Sequence, residues 1–141
     1  MKYKMYKNNN SSSKSAGLWF ARADIDSNPF TTDDISDEIQ KNCSMKESDV
    51  VAVLKELKGI MKRELQNGRR VVIKDLGSFK LGISTTGVET TKKFDVKKNI
   101  TNVHVIFAPE KRYDGATGRY ITMLTEGITF QEAKPYSVDE G

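Results

Sequence analysis

Cysteine and histidine each occur once among the 141 residues, as Cys43 and His104. A single cysteine cannot close an intrachain disulfide, so a reducing cytosol is the simplest setting for the chain. One histidine without a second cysteine leaves no ligand set for zinc. No apolar run approaches the roughly 18 residues that a membrane-spanning helix needs. The opening stretch MKYKMYKNNN lacks the apolar segment of a secretory signal. There is no GxGxxG, no Walker loop and no Ser/His/Asp set with usable spacing. Asp33 with Asp34, and Asp37 with Glu38, fall in the early turns of an expected helix, where they serve as dipole partners rather than catalytic carboxylates. The expectation is a protein that is not an enzyme, with no cofactor, no metal, no small-molecule substrate and no membrane.

The apolar content is also low, at 37% with a mean hydropathy of −0.56. A chain of this length holds about one domain with a modest core, or a core completed by a partner subunit. The net charge is only +4, but it is unevenly spread. Residues 68–112 carry 10 basic and 4 acidic side chains, whereas residues 31–67 carry 6 and 8. Residues 1–30 carry 5 and 2, and residues 113–141 carry 2 and 5. Positive charge therefore gathers on the expected strands, which suits a face that binds a polyanion.

Along the chain, residues 2–7 and 18–25 read as two strands of a hairpin. Between them NNNSSSKS, residues 8–15, is a polar stretch expected to be a disordered loop. Thr31 with Asp34 forms an N-cap pattern, and Ile35, Ile39 and Cys43 recur every four residues on a short helix. Cys43 lies on that stripe and is expected to be a buried, inert thiol. Ser44 with Glu47 suggests a capping box for a second helix that ends near Gln66, with a start one or two residues later as the alternative. On it Val50, Val53, Leu54, Leu57, Ile60, Met61 and Leu65 span an arc of roughly 140°. Such an arc suits either an ordinary core helix or one packed against its own sheet and a second subunit.

The stretch NGRRVVIKDLGSFKL, residues 67–81, organises the rest. Asn67 and Gly68 stop the helix. Val71, Val72 and Ile73 favour an extended backbone. Gly77 marks a tight turn or close approach, and Phe79, Leu81 and Ile83 alternate with Ser78, Lys80 and Gly82. Residues 84–99 are polar and rich in threonine and lysine. Residues 100–107 return to strand character, with Val103, Val105 and Phe107 on one side and His104 on the other. Pro109 ends that strand. YDGATGRY is turn-like, ITMLTEGITF is a further strand or a ragged tail, and SVDEG is expected to be disordered.

This order resembles the bacterial histone-like HU/IHF family across residues 31–112. The match rests on the glycine–basic–valine entry at Gly68, on Gly77, Ser78 and Phe79, and on IFAPEK ending at Lys111. In IFAPEK, Pro109 and Glu110 stand where a small residue and glycine are usual. The extra strand ahead of the first helix looks more like the HU-HIG branch. The resemblance implies an α+β, IHF/HU-like fold: two helices packed under a twisted antiparallel sheet with an extended basic arm, plus an N-terminal strand extension. It divides the chain into an extension at 1–30, the HU/IHF-like domain at 31–112 and a partly disordered extension at 113–141. It also implies a cytoplasmic, nucleoid-associated homodimer that binds double-stranded DNA through a basic saddle, mainly by phosphate contacts. By motif position Arg70, Lys80 and Lys111 carry over, and by arm position Lys92, Lys93, Lys97 and Lys98. Arg69 and Lys74 are added from charge alone. Family members that bend DNA carry a proline at the arm tip, whereas the prolines here are at 29, 109 and 135 only, so little sharp bending is expected. The rival expectation is a dimeric structural or protein-interaction module whose charge is a solvated face.

Overall fold

The computed structural model describes residues 1–134; the SVDEG end lies outside them. The described chain forms two compact units, Met1–Phe30 together with residues from Gly127 onward, and Thr31–Glu126. The extension expected from residue 113 is therefore divided between them.

In the first unit β1 (Lys2–Lys7) pairs antiparallel with β2 (Trp19–Ala23), and β8 (Gln131–Glu132) joins the other edge of β1 in parallel. Tyr3, Met5 and Lys7 sit opposite Ala23, Ala21 and Trp19. The polar stretch between the strands is not disordered. Asn8 donates its N–H to the Leu18 carbonyl at 2.9 Å, and Gly17 donates to the Asn8 carbonyl at 2.8 Å. Within it the side chains of Asn8, Asn10 and Ser13 accept the N–H groups two residues on. Such side chains imitate backbone turns, so a segment with nothing to bury still holds a shape.

The second unit begins with α1 (Thr32–Asn42), and Thr31 and Asp34 close the expected capping box. The buried stripe of α1 centres on Ser36, whose hydroxyl donates to the Thr32 carbonyl and so leaves no unmet polar group. Cys43 is not buried. It is the C-cap, with extended backbone at φ −147 and ψ 161, so it leaves the helical period and stays exposed. The second expected capping box is also absent. The helix α2 (Glu47–Gln66) starts after Lys46, which supplies no side-chain cap, and Ser44 remains in the connection. Glu47 and Asp49 in its first turn complement the dipole instead. At its other end Gly68 takes φ 76, Gly68 N–H bonds to Leu65 and Arg69 N–H bonds to Glu64. This is a Schellman closure, and it turns the chain into the sheet.

The sheet orders β3 (Val71–Ile73), β4 (Gly77–Thr85) and β5 (Ile100–Pro109), all antiparallel. Phe79, Leu81 and Ile83 face Phe107, Val105 and Val103 across the ladder, and Val71 lies opposite Phe79. The Phe79 and Phe107 rings pack at 4.8 Å. The opposite side carries Val72, Ser78, Lys80, His104 and Ile106. A two-stranded ribbon follows, β6 (Lys111–Asp114) with β7 (Arg119–Thr122).

The core of this unit is thin. Among the described residues only Val50 and Leu65 are fully buried apolar side chains, at 3% and 8% exposure. On α2 the stripe through Leu54 and Met61 is half-covered, while Val53 and Ile60 beside it are 56% and 46% exposed.

Gly77 has φ 149, and a Cβ there would lie 2.5 Å from the Ala108 carbonyl oxygen and 2.9 Å from the Pro109 Cα. Both neighbours are backbone and cannot swing aside. Gly77→Ala should therefore cost about 1–3 kcal/mol in urea unfolding. Gly87→Ala, with nothing within 4 Å of the added methyl, should leave stability unchanged or slightly raised.

Candidate nucleic-acid interface

All nine basic residues singled out from the sequence are exposed. They fall into three groups joined by a strand. Arg69 and Arg70 follow the helix closure and lead into β3. Lys74 and Lys111 are brought together at the base of the sheet. There the Asp75 N–H donates to the Glu110 carboxylate, and Glu110 N–H donates to the Leu76 carbonyl at 3.1 Å. Asp75 holds φ 65 in that turn. Lys80 projects midway along β4 on the side opposite Phe79 and Leu81, where its partner across the ladder is Ile106.

The remaining four, Lys92, Lys93, Lys97 and Lys98, lie in the connection from β4 to β5. This connection is not an extended arm. Past an irregularity at Ser84 and Thr85 the chain folds back on itself. It makes a single 3-10 turn, Thr91–Lys93, and the short helix α3 (Val96–Asn99). Asp95 caps α3 by accepting the Lys97 N–H at 2.9 Å. Thr86 N–H donates to the Asn99 carbonyl at 2.9 Å, and the Asn99 amide donates to the Thr86 hydroxyl at the same distance. Val88 and Phe94 line one shallow pocket with Glu89, Thr90 and Thr91. The reason is local: Asp95, Asn99 and Thr86 offer side-chain partners that compete with continued strand pairing.

Acidic neighbours engage three of the nine. Arg69 meets Glu64 at 2.9 Å, Lys93 meets Glu89, and Lys98 stands 3.8 Å from Asp95. The other six, Arg70, Lys74, Lys80, Lys92, Lys97 and Lys111, have no carboxylate within ion-pair distance among the described residues. Unpaired cations on an exposed surface are available to an external anion, since no internal contact must first be broken.

The reading of the sequence missed the ribbon that follows. Tyr113 and Tyr120 face each other across β6 and β7, with ring centres 5.5 Å apart. Arg119 lies at its start, and Arg112 forks onto the Glu126 carboxylate. The signal was the near-symmetry of YDGATGRY about its turn, which places Tyr against Tyr and Gly115 against Gly118. Asp114 organises that turn by accepting from Ala116 N–H at 3.1 Å and the Thr117 hydroxyl at 2.6 Å. Among the described residues no group of three or more His, Cys, Asp or Glu could hold a metal ion. Among the described residues no helix is long and apolar enough to cross a membrane.

Two helices beneath a three-stranded antiparallel sheet, with lysines gathered in the β4–β5 connection, define an HU-like protein. Residues 1–122 match the HU-HIG family, an HU domain fused to wHTH, Ig or glycine-rich motifs, and the chain belongs to that family. Among solved structures, the chain is similar to that of a candidate bacterial DNA-binding protein from Bacteroides vulgatus ATCC 8482. The TM-score is 0.52 at 15% identity over 76% of this chain. This chain spans 40% of that protein's length. No curated protein shows a significant match.

Several carboxylates are held below their ordinary range by their partners. The Thr31 hydroxyl lowers Asp34, the Arg63 side chain lowers Glu64, the Thr117 hydroxyl lowers Asp114, and the Arg112 guanidinium lowers Glu126. A depressed folded-state pKa adds stability that is complete above the unfolded carboxylate range and is lost as pH falls through the folded value. Stability should therefore drop as pH falls below the usual carboxylate range. Glu126→Gln should flatten that dependence in acid-unfolding titrations, because one of the four contributing groups is gone.

Proposed function

We propose that this protein is a histone-like duplex DNA-binding protein that acts as a homodimer in the cytoplasm, on the nucleoid. The observation that carries this reading is the set of six cations on the sheet, its basal turn and the folded connection that lack internal partners. DNA carries a continuous row of phosphates, and a surface of such cations gains affinity by releasing condensed counterions. Five of the six are lysines, point charges without a planar fork, so contacts of this kind mainly position the duplex without reading its sequence. The name given to the Bacteroides vulgatus protein supports the same ligand. Two copies, related so that their open apolar faces meet, would set two such basic surfaces side by side as a saddle.

Sharp bending is not part of this reading. A wedge must leave its own subunit and enter a base step. The two apolar candidates in the connection, Val88 and Phe94, share a pocket with each other, and no proline lies in residues 84–99.

Replacing Lys92, Lys93, Lys97 and Lys98 together with Gln should weaken binding to unrelated duplexes to a similar degree. The slope of log K against log salt should fall by about one for each phosphate that the variant no longer neutralises. Unchanged affinity and slope would move the binding face elsewhere. Energy transfer across a short, end-labelled duplex should change little on saturation. A large shortening abolished by Phe94→Ala would show that Phe94 does act as a wedge.

A further inference from the structure

The sheet of the first unit has two unlike sides. Tyr3, Met5, Lys7, Trp19, Ala21 and Ala23 lie on one, with the Lys7 ammonium 6.0 Å from the centre of the Trp19 ring at its end. The other carries Lys2, Lys4 and Tyr6 from β1 with Phe20 and Arg22 from β2. On this second side Tyr6 and Phe20 are cross-strand partners, with ring centres 5.9 Å apart and a tilt of 32°. They are 41% and 36% exposed. The Arg22 guanidinium stands 5.8 Å from the centre of the Tyr6 ring. Two carboxylates border the patch at its lysine end. Lys4 reaches Asp24 at 2.8 Å, and Glu132, which shares a pocket with Lys2 and Lys4, meets Lys134 at 3.3 Å.

The two rings pair across the strands, yet both stay more than a third exposed, with cations around them. We infer that this side of the sheet binds single-stranded DNA. The two rings offer faces on which successive bases stack, and Lys2 and Arg22 lie within the same patch to meet the phosphates between them, while Lys4 is held by Asp24. Rings and cations suit a base together with its phosphate, whereas a duplex hides its base faces. A docked protein surface would need carboxylates opposite both Lys2 and Arg22 as well as an apolar patch opposite the rings. The site lies outside the nine basic residues of the proposed duplex interface. The choice of DNA over RNA rests on the duplex reading above, and rings and cations alone have no need of a 2′-hydroxyl.

The test uses the full chain and a labelled oligothymidine of about 12 nucleotides. Anisotropy is measured in parallel with an unlabelled-competitor series of duplex DNA and oligouridine. Tyr6→Leu with Phe20→Leu keeps apolar volume on the strands and removes both stacking faces. It should weaken oligothymidine binding about tenfold or more while duplex affinity stays as in the parent chain. Phe20→Trp, which enlarges the stacking face, should retain or tighten oligothymidine binding, so a general loss of fold in the double variant is recognised. The four-lysine variant should show the opposite pattern, losing duplex affinity first. Unchanged oligothymidine binding in the double leucine variant would overturn the inference. So would a parallel loss of both affinities, a change of sedimenting mass in that variant, or tighter binding of oligouridine than of oligothymidine. Failure of the duplex reading would appear separately, as a parent chain that ignores duplex DNA.

Discussion

The register between β4 and β5 decides what every other part of the second unit can do. With Phe79 opposite Phe107 and Leu81 opposite Val105, most of the large apolar side chains of the hairpin share one side, and Lys80, His104 and Ile106 take the other. A slip of one residue would exchange the two sides of β5 and bury polar groups against Phe79. The base of the hairpin resists that slip. Gly77 approaches the Ala108 carbonyl closely enough that only a hydrogen fits, and Glu110 ties the neighbouring turn through Asp75 and Leu76. Pro109 and Glu110, at first sight departures from the HU pattern, therefore belong to the clamp that fixes the sheet.

That register leaves an apolar surface which one chain does not cover. Val103 and Val105 are 56% and 59% exposed, and Val53 and Ile60 stand open on the flank of α2. A monomeric protein seldom keeps so many large apolar groups in water unless a partner covers them. Under the proposed function the partner is a second copy of the chain. Burial of the apolar sides is then what presents the two basic sides as one surface to the duplex. On that proposal charge supplies the encounter and most of the affinity, while the apolar surface supplies the geometry.

Much of this architecture was legible in the sequence, for definable reasons. The second helix, the valine-rich entry strand and the alternation through Phe79, Leu81 and Ile83 are periodic and apolar, and such signals survive tertiary context. The stop at Asn67 and Gly68 is equally local, because few residues accept the backbone that Gly68 adopts. Cap and end positions were less readable. Cys43 belongs to the stripe of α1 by spacing but sits where the helix has already ended, and Ser44 has the right spacing to Glu47 in a helix that starts later. The connection at residues 84–99 was expected to be an extended arm from the family resemblance, since its own composition shows only that it is polar and basic. Its fold depends on hydrogen bonds between Thr86 and Asn99 and on the Asp95 cap, which composition does not reveal. The tyrosine ribbon escaped because its strands are short and its turn dominates the local pattern.

The claim on which the account depends is that a second copy covers the apolar side of α2 and the sheet, and Ile60→Asp tests it most directly. In a single chain Ile60 is 46% exposed, so a carboxylate there would cost little. In a closed interface it would be an unpaired buried charge, costing several kcal/mol. Sedimentation at micromolar concentration should give about twice the 15.9 kDa chain mass for the parent protein. Ile60→Asp should give a single chain mass or lose its fold. A parent protein that sediments as a folded single chain, or an Ile60→Asp variant that sediments as the parent does, would contradict the account.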